Sequence, residues 1–434
     1  MTIHAGCPQG SILGPLLALL YLDGLPDKLT NTALFYADDI SLYASHTPDT
    51  LTQVENSLQK DIEAIQNYGQ QWAITFSPSK TFTQTFTKNK QHTLPSLKFS
   101  GQTIMRTNAH KHLGLTFSED LRFQAHVDTI VRKVNIALSP LYPIGKFIPR
   151  EILDTIFKTY IRPHLDYCDC IYDGHLTISD ELRLERLQNR AARLVTNALP
   201  RTSTAKLRLE LGWDSLKTRR KIHRLLLYGQ IKNNPTHIPD YIRNMIPETR
   251  RDDTGRALRN ANQLTLPQSR TSTYQRSFIP QTSQNWNSLP IHIQQCTDRK
   301  QLKQSITSLY NTPHPPLYYT LGTKLGNTLH THLRLGMSRL NAHQYSIQKN
   351  SDPACACGHK QENTNHYILD CPLHRLARMH LYTQISTHLN VDFHTQTNTA
   401  KINTLLYGHN TTKTSSIPIS KEFQKFLQNT GRFL

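Results

Sequence analysis

Two adjacent carboxylates, Asp38 and Asp39, stand in the run Phe35-Tyr36-Ala37-Asp38-Asp39-Ile40, with apolar residues on both sides. Neighbouring acids repel each other, and a divalent cation relieves that repulsion. Phosphoryl transfer by two metal ions needs such a clamp on the attacking and leaving oxygens. An Asp-Asp pair alone also fits an acidic turn, since Asp is common in turns. A second constellation is Cys355-Ala356-Cys357 followed by His366 and Cys371, spaced C-x-C-x8-H-x4-C. Three thiolates and one imidazole suit tetrahedral zinc, and so compact a loop needs a staple in place of a core. His359 and His374 are alternate ligands there. A look-alike set, His164, Cys168, Cys170 and His175, reads as packing, with its cysteines as small buried residues.

Several elements must position these groups. Ala33-Leu34-Phe35 and Ile40-Ser41-Leu42-Tyr43 predict two short strands with the acids at the turn. Upstream, the loop Gly6-Cys7-Pro8-Gln9-Gly10-Ser11 opens into a dense apolar helix from Ile12 to Tyr21. Its glycines let backbone approach a bulky ligand, and Gln9 is free to hydrogen-bond it. Leu51, Val54, Leu58, Ile62, Ile65 and Trp72 recur at three- and four-residue steps, predicting one amphipathic helix over 48–72. A loop and an alternating strand run to Phe86.

Three helical stretches are expected from Ser118 to Val195. Their stripes are Phe123, Val127, Ile130, Val131 and Val134; Ile152, Leu153, Ile156, Phe157 and Tyr160; and Leu184, Leu187, Ala191, Leu194 and Val195. Arg183, Arg186, Arg190 and Arg193 accompany the third. A basic helix face tracks phosphates by charge without reading sequence, and a solvated face is the competing reading. Residues 250–274 read as a flexible polar connector, 395–416 as loop, and 421–428 as a last helix.

The chain has 434 residues, enough for two or three domains. A formal charge of +19 favours a polyanionic partner. No apolar run reaches the roughly 20 residues that span a bilayer, and no basic-then-apolar signal segment starts the sequence. Seven cysteines, an odd number, argue against a disulfide scaffold and for a reducing, cytoplasmic or nuclear setting.

The pairing of Gly6-Cys7-Pro8-Gln9-Gly10-Ser11 with Tyr36-Ala37-Asp38-Asp39 resembles the reverse transcriptases of non-LTR, LINE-like (jockey-like) retrotransposons. Leu187-Gln188-Asn189-Arg190-Ala191-Ala192-Arg193-Leu194-Val195-Thr196 is close to a further signature of that family, and Leu335 to His343 resembles the stretch before its zinc knuckle. The resemblance implies an α+β fold: a partial polymerase palm (a β-hairpin sheet with helices), then a mostly α-helical thumb and a C-terminal region with a small zinc knuckle. The implied segments are palm 1–117, thumb 118–200, helical and basic connector 201–310, zinc-knuckle region 311–385, and a tail with a terminal helix 386–434.

By position, the resemblance implies that Asp38 binds Mg²⁺ (or Mn²⁺) with Asp39 beside it as the second catalytic acid. Gln9 and Gly10 then line the nucleotide pocket, Tyr36 lies near the primer terminus, and Lys80 assists the pyrophosphate leaving group. His112 to Phe117 matches the strand that grips the primer backbone, where Gly114 permits close approach. Cys355, Cys357, His366 and Cys371 hold Zn²⁺. The implied partners are template RNA, primer DNA and a deoxynucleoside triphosphate, with no membrane. The family's first metal-binding Asp lies on a strand upstream of the Gly6–Ser11 loop, and Asp23 has no such strand context. The chain is therefore expected to be the C-terminal portion of an RNA-directed DNA polymerase, inactive without the missing upstream half, which is a further expected partner. The alternative expectation is a catalytically dead, degenerate nucleic-acid-binding protein using the thumb and knuckle.

Overall fold

The computed structural model describes residues 12–87, 95–233, 238–250, 263–310, 315–408 and 413–433. The chain divides into two units, Met1–His126 and Val127–Leu434. Its described residues combine many helices with a few short strands, an α+β composition.

In the first unit, β1 (Thr32–Tyr36) and β2 (Asp39–Tyr43) form an antiparallel hairpin in which Tyr36 pairs with Asp39 and Phe35 with Ile40. Phe35, Ile40 and Leu42 face inward, as the alternation predicts, and pack against a core of Leu25, Ile62, Ile65, Tyr68, Leu97, Phe99 and Ile104. The helix α1 (Gly14–Leu22) precedes the hairpin, and α2 (Leu51–Trp72) follows it. α2 matches the predicted amphipathic helix and buries Leu51, Ile62, Ile65 and Tyr68. It also buries Asp61, whose carboxylate accepts hydrogen bonds from the backbone N–H groups of Thr30 and Asn31, each at 2.8 Å, and from both side chains. That carboxylate fixes where β1 begins. α1 differs from an ordinary core helix, because Leu16, Leu17, Leu19, Leu20 and Tyr21 are all exposed.

The expected strand up to Phe86 shortens to β3 (Phe82–Thr83), which pairs in parallel with β6 (Met105–Arg106). Between them, β4 (Lys98–Phe99) and β5 (Gln102–Thr103) form a small hairpin. The stretch from His112 to Phe117, expected as one strand, is instead the tip and one arm of a hairpin. β7 (Ala109–His112) pairs antiparallel with β8 (Leu115–Ser118). Leu113 and Gly114 both take positive φ, 45° and 83°, the backbone that a two-residue hairpin loop demands. Gly114 is thus required by the turn.

The second unit is helical among its described residues. α3 (Gln124–Leu138) runs into it and buries Val127, Ile130, Val134 and Leu138. The second expected stripe holds at Leu153 and Phe157 and shifts beyond them. Ile152 and Tyr160 are exposed, while Leu153, Phe157, Ile161 and Leu165 are buried. The helix Arg150–Ile156 passes into a π-helical turn at Phe157–Ile161, and the extra residue per turn shifts the inward face. The third stripe lies on the helix Ile178–Thr196, which is capped by the Thr177 side chain and buries Leu184, Leu187, Ala191 and Val195. Leu194 is only half-buried.

Beyond residue 200 the sequence expectation is partly revised. Trp286 sits in a core with Ile222, Leu225, Tyr228, Leu289 and Leu302. Leu264, within the expected connector, joins that core at 1% exposure, and its backbone N–H and C=O are both bound by the Asn287 side chain. Residues 251–262 lie outside the described ones. The expected loop at 395–416 contains the helix Asn398–Tyr407, capped by Thr397, because Leu405 and Leu406 find a core to enter. The last helix is longer than expected, Lys413–Asn429, and tolerates Pro418 within it because Ile419, Phe423, Phe426 and Leu427 anchor it.

Candidate functional site

The hairpin β1–β2 carries Asp38 and Asp39 at its tip. Ala37 and Asp38 form the two-residue loop, and Ala37 adopts φ 52°, a left-handed conformation uncommon for a residue with a side chain. Tyr36, Asp38 and Asp39 are exposed, so both carboxylates are open to a cation and a polyphosphate. Among the described residues they do not join a group of three or more metal-ligating side chains. His110, on β7, senses Asp39. Burial and His112 hold the His110 imidazole below its usual range, while Asp39 pulls the other way. Sequence reasoning missed His110, which lies far from Asp39 in the chain and carries no spacing signal.

Lys80 is exposed at the end of a short 3-10 turn, Pro78–Lys80. Gln9 and Gly10 lie outside the described residues.

The second constellation closes on itself. The Sγ atoms of Cys355, Cys357 and Cys371 and a ring nitrogen of His366 all lie within 4.8 Å of one another. Cys355 Sγ and Cys371 Sγ are 3.8 Å apart, and Cys357 Sγ lies 3.2 Å from His366 Nε2. A tetrahedron with zinc–sulfur bonds of about 2.3 Å has a sulfur–sulfur edge near 3.8 Å, so the donor set fits zinc. Local backbone explains both spacings. In the C-x-C half, Gly358 takes φ 91° and donates to the Cys355 carbonyl at 2.9 Å, while Cys355 N–H donates to His359 O. In the H-x4-C half, a π-helical turn at His366–Asp370 has Cys371 N–H donating to His366 O at 2.7 Å. Residues five apart then fall on one side.

Burial pushes the Cys355 thiol up to about 12, whereas the backbone N–H of His359 is the main influence drawing the Cys357 thiol down. Burial, then His359, lowers the His366 imidazole, favouring the neutral form that binds metal. The alternates stand aside. His359 stacks flat on His366 with ring centres 4.1 Å apart, and His374 meets Tyr367 edge-on.

The look-alike set does not assemble among the described residues. Near it, Asp166, Asp169 and His223 approach one another, a grouping the sequence did not suggest. Its acids are already engaged: Asp166 with Arg219 at 2.6 Å and Asp169 with His223 at 2.6 Å. It reads as an ion-pair network tying the helix Leu216–Asn233 to residues 163–173.

The four arginines of the helix Ile178–Thr196 do not share one environment. Arg183 is bound by Asp128 at 2.6 Å and Asp180 at 3.0 Å, which removes its charge from the face. Arg186 and Arg190 are exposed, and among the described residues no carboxylate pairs with Arg186, Arg190 or Arg193. Arg190 is held by Tyr142 Oη and Asn135 Oδ1. Arg190 and Arg193 line a groove of about 330 Å³ with Tyr142, Gly145, Lys146 and Asn197. Lys146 was not anticipated from sequence, since it belongs to a separate segment that packing brings alongside.

Among the described residues no helix is long and apolar enough to cross a membrane. Residues 1–117 match the family model "Reverse transcriptase (RNA-dependent DNA polymerase)". The chain is 26% identical over 181 residues to an RNA-directed DNA polymerase from mobile element jockey of Drosophila funebris, covering 39% of this chain and 19% of that protein. It is 28% identical over 210 residues to the probable RNA-directed DNA polymerase from transposon X-element of Drosophila melanogaster, covering 45% and 22%. The chain thus spans about a fifth of the length of these relatives. Residues 1–117 are thus similar to a reverse transcriptase, and the chain is similar to the RNA-directed DNA polymerases of jockey and X-element mobile elements, which are non-LTR retrotransposons.

Proposed function

We propose that this chain supplies part of the palm, together with the thumb and a zinc-stapled region, of an RNA-directed DNA polymerase. The observation that carries the reading is the exposed Asp38–Asp39 pair at the tip of a rigidly registered hairpin, inside the segment that matches the reverse transcriptase family. In this reading Asp38 and Asp39 hold Mg²⁺ or Mn²⁺ for two-metal nucleotidyl transfer, Gln9 and Gly10 serve the nucleotide pocket, Tyr36 serves the primer terminus and Lys80 assists the leaving pyrophosphate. Gly114 shapes the hairpin tip nearest the primer. The groove beside Arg190, Arg193 and Lys146 holds phosphates of an RNA template or RNA–DNA duplex. Cys355, Cys357, His366 and Cys371 bind a structural zinc with all four positions filled by protein, so it does no hydrolysis. Segments 1–117, 118–200, 201–310, 311–385 and 386–434 serve as palm, thumb, connector, knuckle region and tail.

The test is primer extension on an RNA template with Mg²⁺, using a polymerase that contains this chain together with the family's first metal-binding Asp. Extension that disappears on Asp38→Asn supports the reading; extension indifferent to that change overturns it. One observation favours the second reading, nucleic-acid binding without catalysis. Asp38 and Asp39 gather no third ligand among the described residues. The 434-residue chain alone should therefore bind RNA yet extend no primer.

A further inference from the structure

Glu362 lies beside the cysteine cluster and is 2% exposed. Its Oε1 is 3.9 Å from Cys355 Sγ, and its backbone is pinned on both sides: Glu362 N–H donates to Pro353 O at 2.8 Å, and Glu362 O accepts from Ala342. The carboxylate accepts from Asn341 N–H at 2.8 Å and from Arg432 through two guanidinium nitrogens, Nε at 2.5 Å and Nη2. Arg432 also reaches Asn341 Oδ1 and Arg339 O. The same stretch touches the cluster by a second route. Thr430 Oγ1 is 2.7 Å from the hydroxyl of Tyr367, the neighbour of His366, and Phe433 is buried against the Tyr367 ring.

We propose that Glu362 and Arg432 are positioning residues of the metal site, so that zinc loading and docking of the segment 430–433 form one linked equilibrium. The inference rests on the zinc reading given above. Three thiolates and Zn²⁺ leave a net charge of −1, and the Glu362 carboxylate adds a second negative charge within 4 Å of a ligand sulfur. The Arg432 fork offsets it, while also gripping the turn between the two ligand pairs. Groups outside the ligand set that orient it commonly change metal affinity by about 10–100-fold when removed. Linkage makes the effect reciprocal: what the docked segment contributes to zinc binding, zinc returns to docking.

The experiment is zinc affinity by chelator competition at fixed pH on the full chain, with hydrogen exchange of residues 430–433 in the zinc-loaded and stripped forms. Arg432→Ala should weaken zinc by about tenfold or more. Adding Glu362→Gln in that background should recover much of the loss, because the uncompensated buried charge is gone; a merely structural role predicts a further loss instead. Stripping zinc from the unaltered chain should speed exchange at 430–433. If Arg432→Ala fails to fold, Arg432→Lys keeps the charge but loses the fork, and it should weaken zinc by a smaller factor. Unchanged affinity in the Arg432 variants, or exchange at 430–433 indifferent to zinc, overturns the coupling while leaving the zinc reading intact. An unaltered chain that binds no zinc removes the zinc reading itself, and the coupling with it.

Discussion

Cys371 N–H donates to His366 O across a π-helical turn, at 2.7 Å, and this single hydrogen bond delivers an imidazole and a thiol to the same side of the backbone. With the C-x-C turn opposite, four donors converge within 4.8 Å. Freshly purified, reduced protein is expected to carry one zinc per chain. Cys371→Ser should lose it and Cys168→Ser should keep it, as read by elemental analysis. Because binding consumes thiolates, affinity should fall steeply as pH drops below neutrality. Retention of full zinc by Cys371→Ser would remove the assignment.

The basic face makes an uneven contribution. Binding to RNA should weaken steeply as salt rises, because association releases counterions into the bulk. Replacing Arg190 and Arg193 by Ala should flatten the slope of log affinity against log salt by ~0.7 for each single-strand phosphate left without its cation. Arg183→Ala should leave the slope nearly unchanged, since Asp128 and Asp180 already bind that guanidinium. Equal effects at Arg183 and Arg190 in a filter-binding titration would contradict this division.

Asp61 anchors the hairpin that bears Asp38 and Asp39 at its tip. Burial acts to raise its pKa, but the hydrogen bonds from Thr30 and Asn31 outweigh burial and hold it below the ordinary carboxylate value of 3.8. A carboxyl group lowered in the folded state contributes stability that is complete above its unfolded pKa and lost as pH falls through the folded one. Asp61→Ala should cost about 2 kcal/mol, because it leaves several part-buried donors of Thr30 and Asn31 without their acceptor. Urea titrations of wild type and variant should differ at pH 6 and converge toward pH 2; a constant difference across that range would reject the linkage.

His330 is buried, stacked on Tyr318 with ring centres 3.9 Å apart, and 3.1 Å from Leu406 O. Burial lowers its pKa from 6.5 to about 3. The unfolded chain takes up a proton first as pH falls, so the second unit should lose stability from pH 6.5 downward toward pH 3. His330→Gln should cut that acid-side slope, because Gln keeps a donor for Leu406 O without a titrating ring. The midpoint of thermal unfolding against pH measures it, and an unaltered slope in the variant would assign the acid sensitivity elsewhere.

What the sequence determined by itself is local and chemical. Alternating apolar residues around Asp38–Asp39 specified a hairpin with the acids at its tip, because a strand repeats every two residues. The helix at 51–72 followed from its 3.6-residue stripe. Cysteine and histidine at C-x-C and H-x4-C were recognisable because few roles need those residue types together. Tertiary structure alone decided what lay across the chain. Asp61 caps backbone thirty residues away, Arg432 closes on Glu362 seventy residues upstream, and Lys146 joins Arg190 across a groove. It also shifted the second stripe beyond Phe157 through a π-helical turn, placed Gly114 in a loop, and neutralised one of four arginines. Periodicity reports which face of an element is apolar, whereas the partner of a buried charge is set by how those faces pack, and no spacing along the chain encodes that.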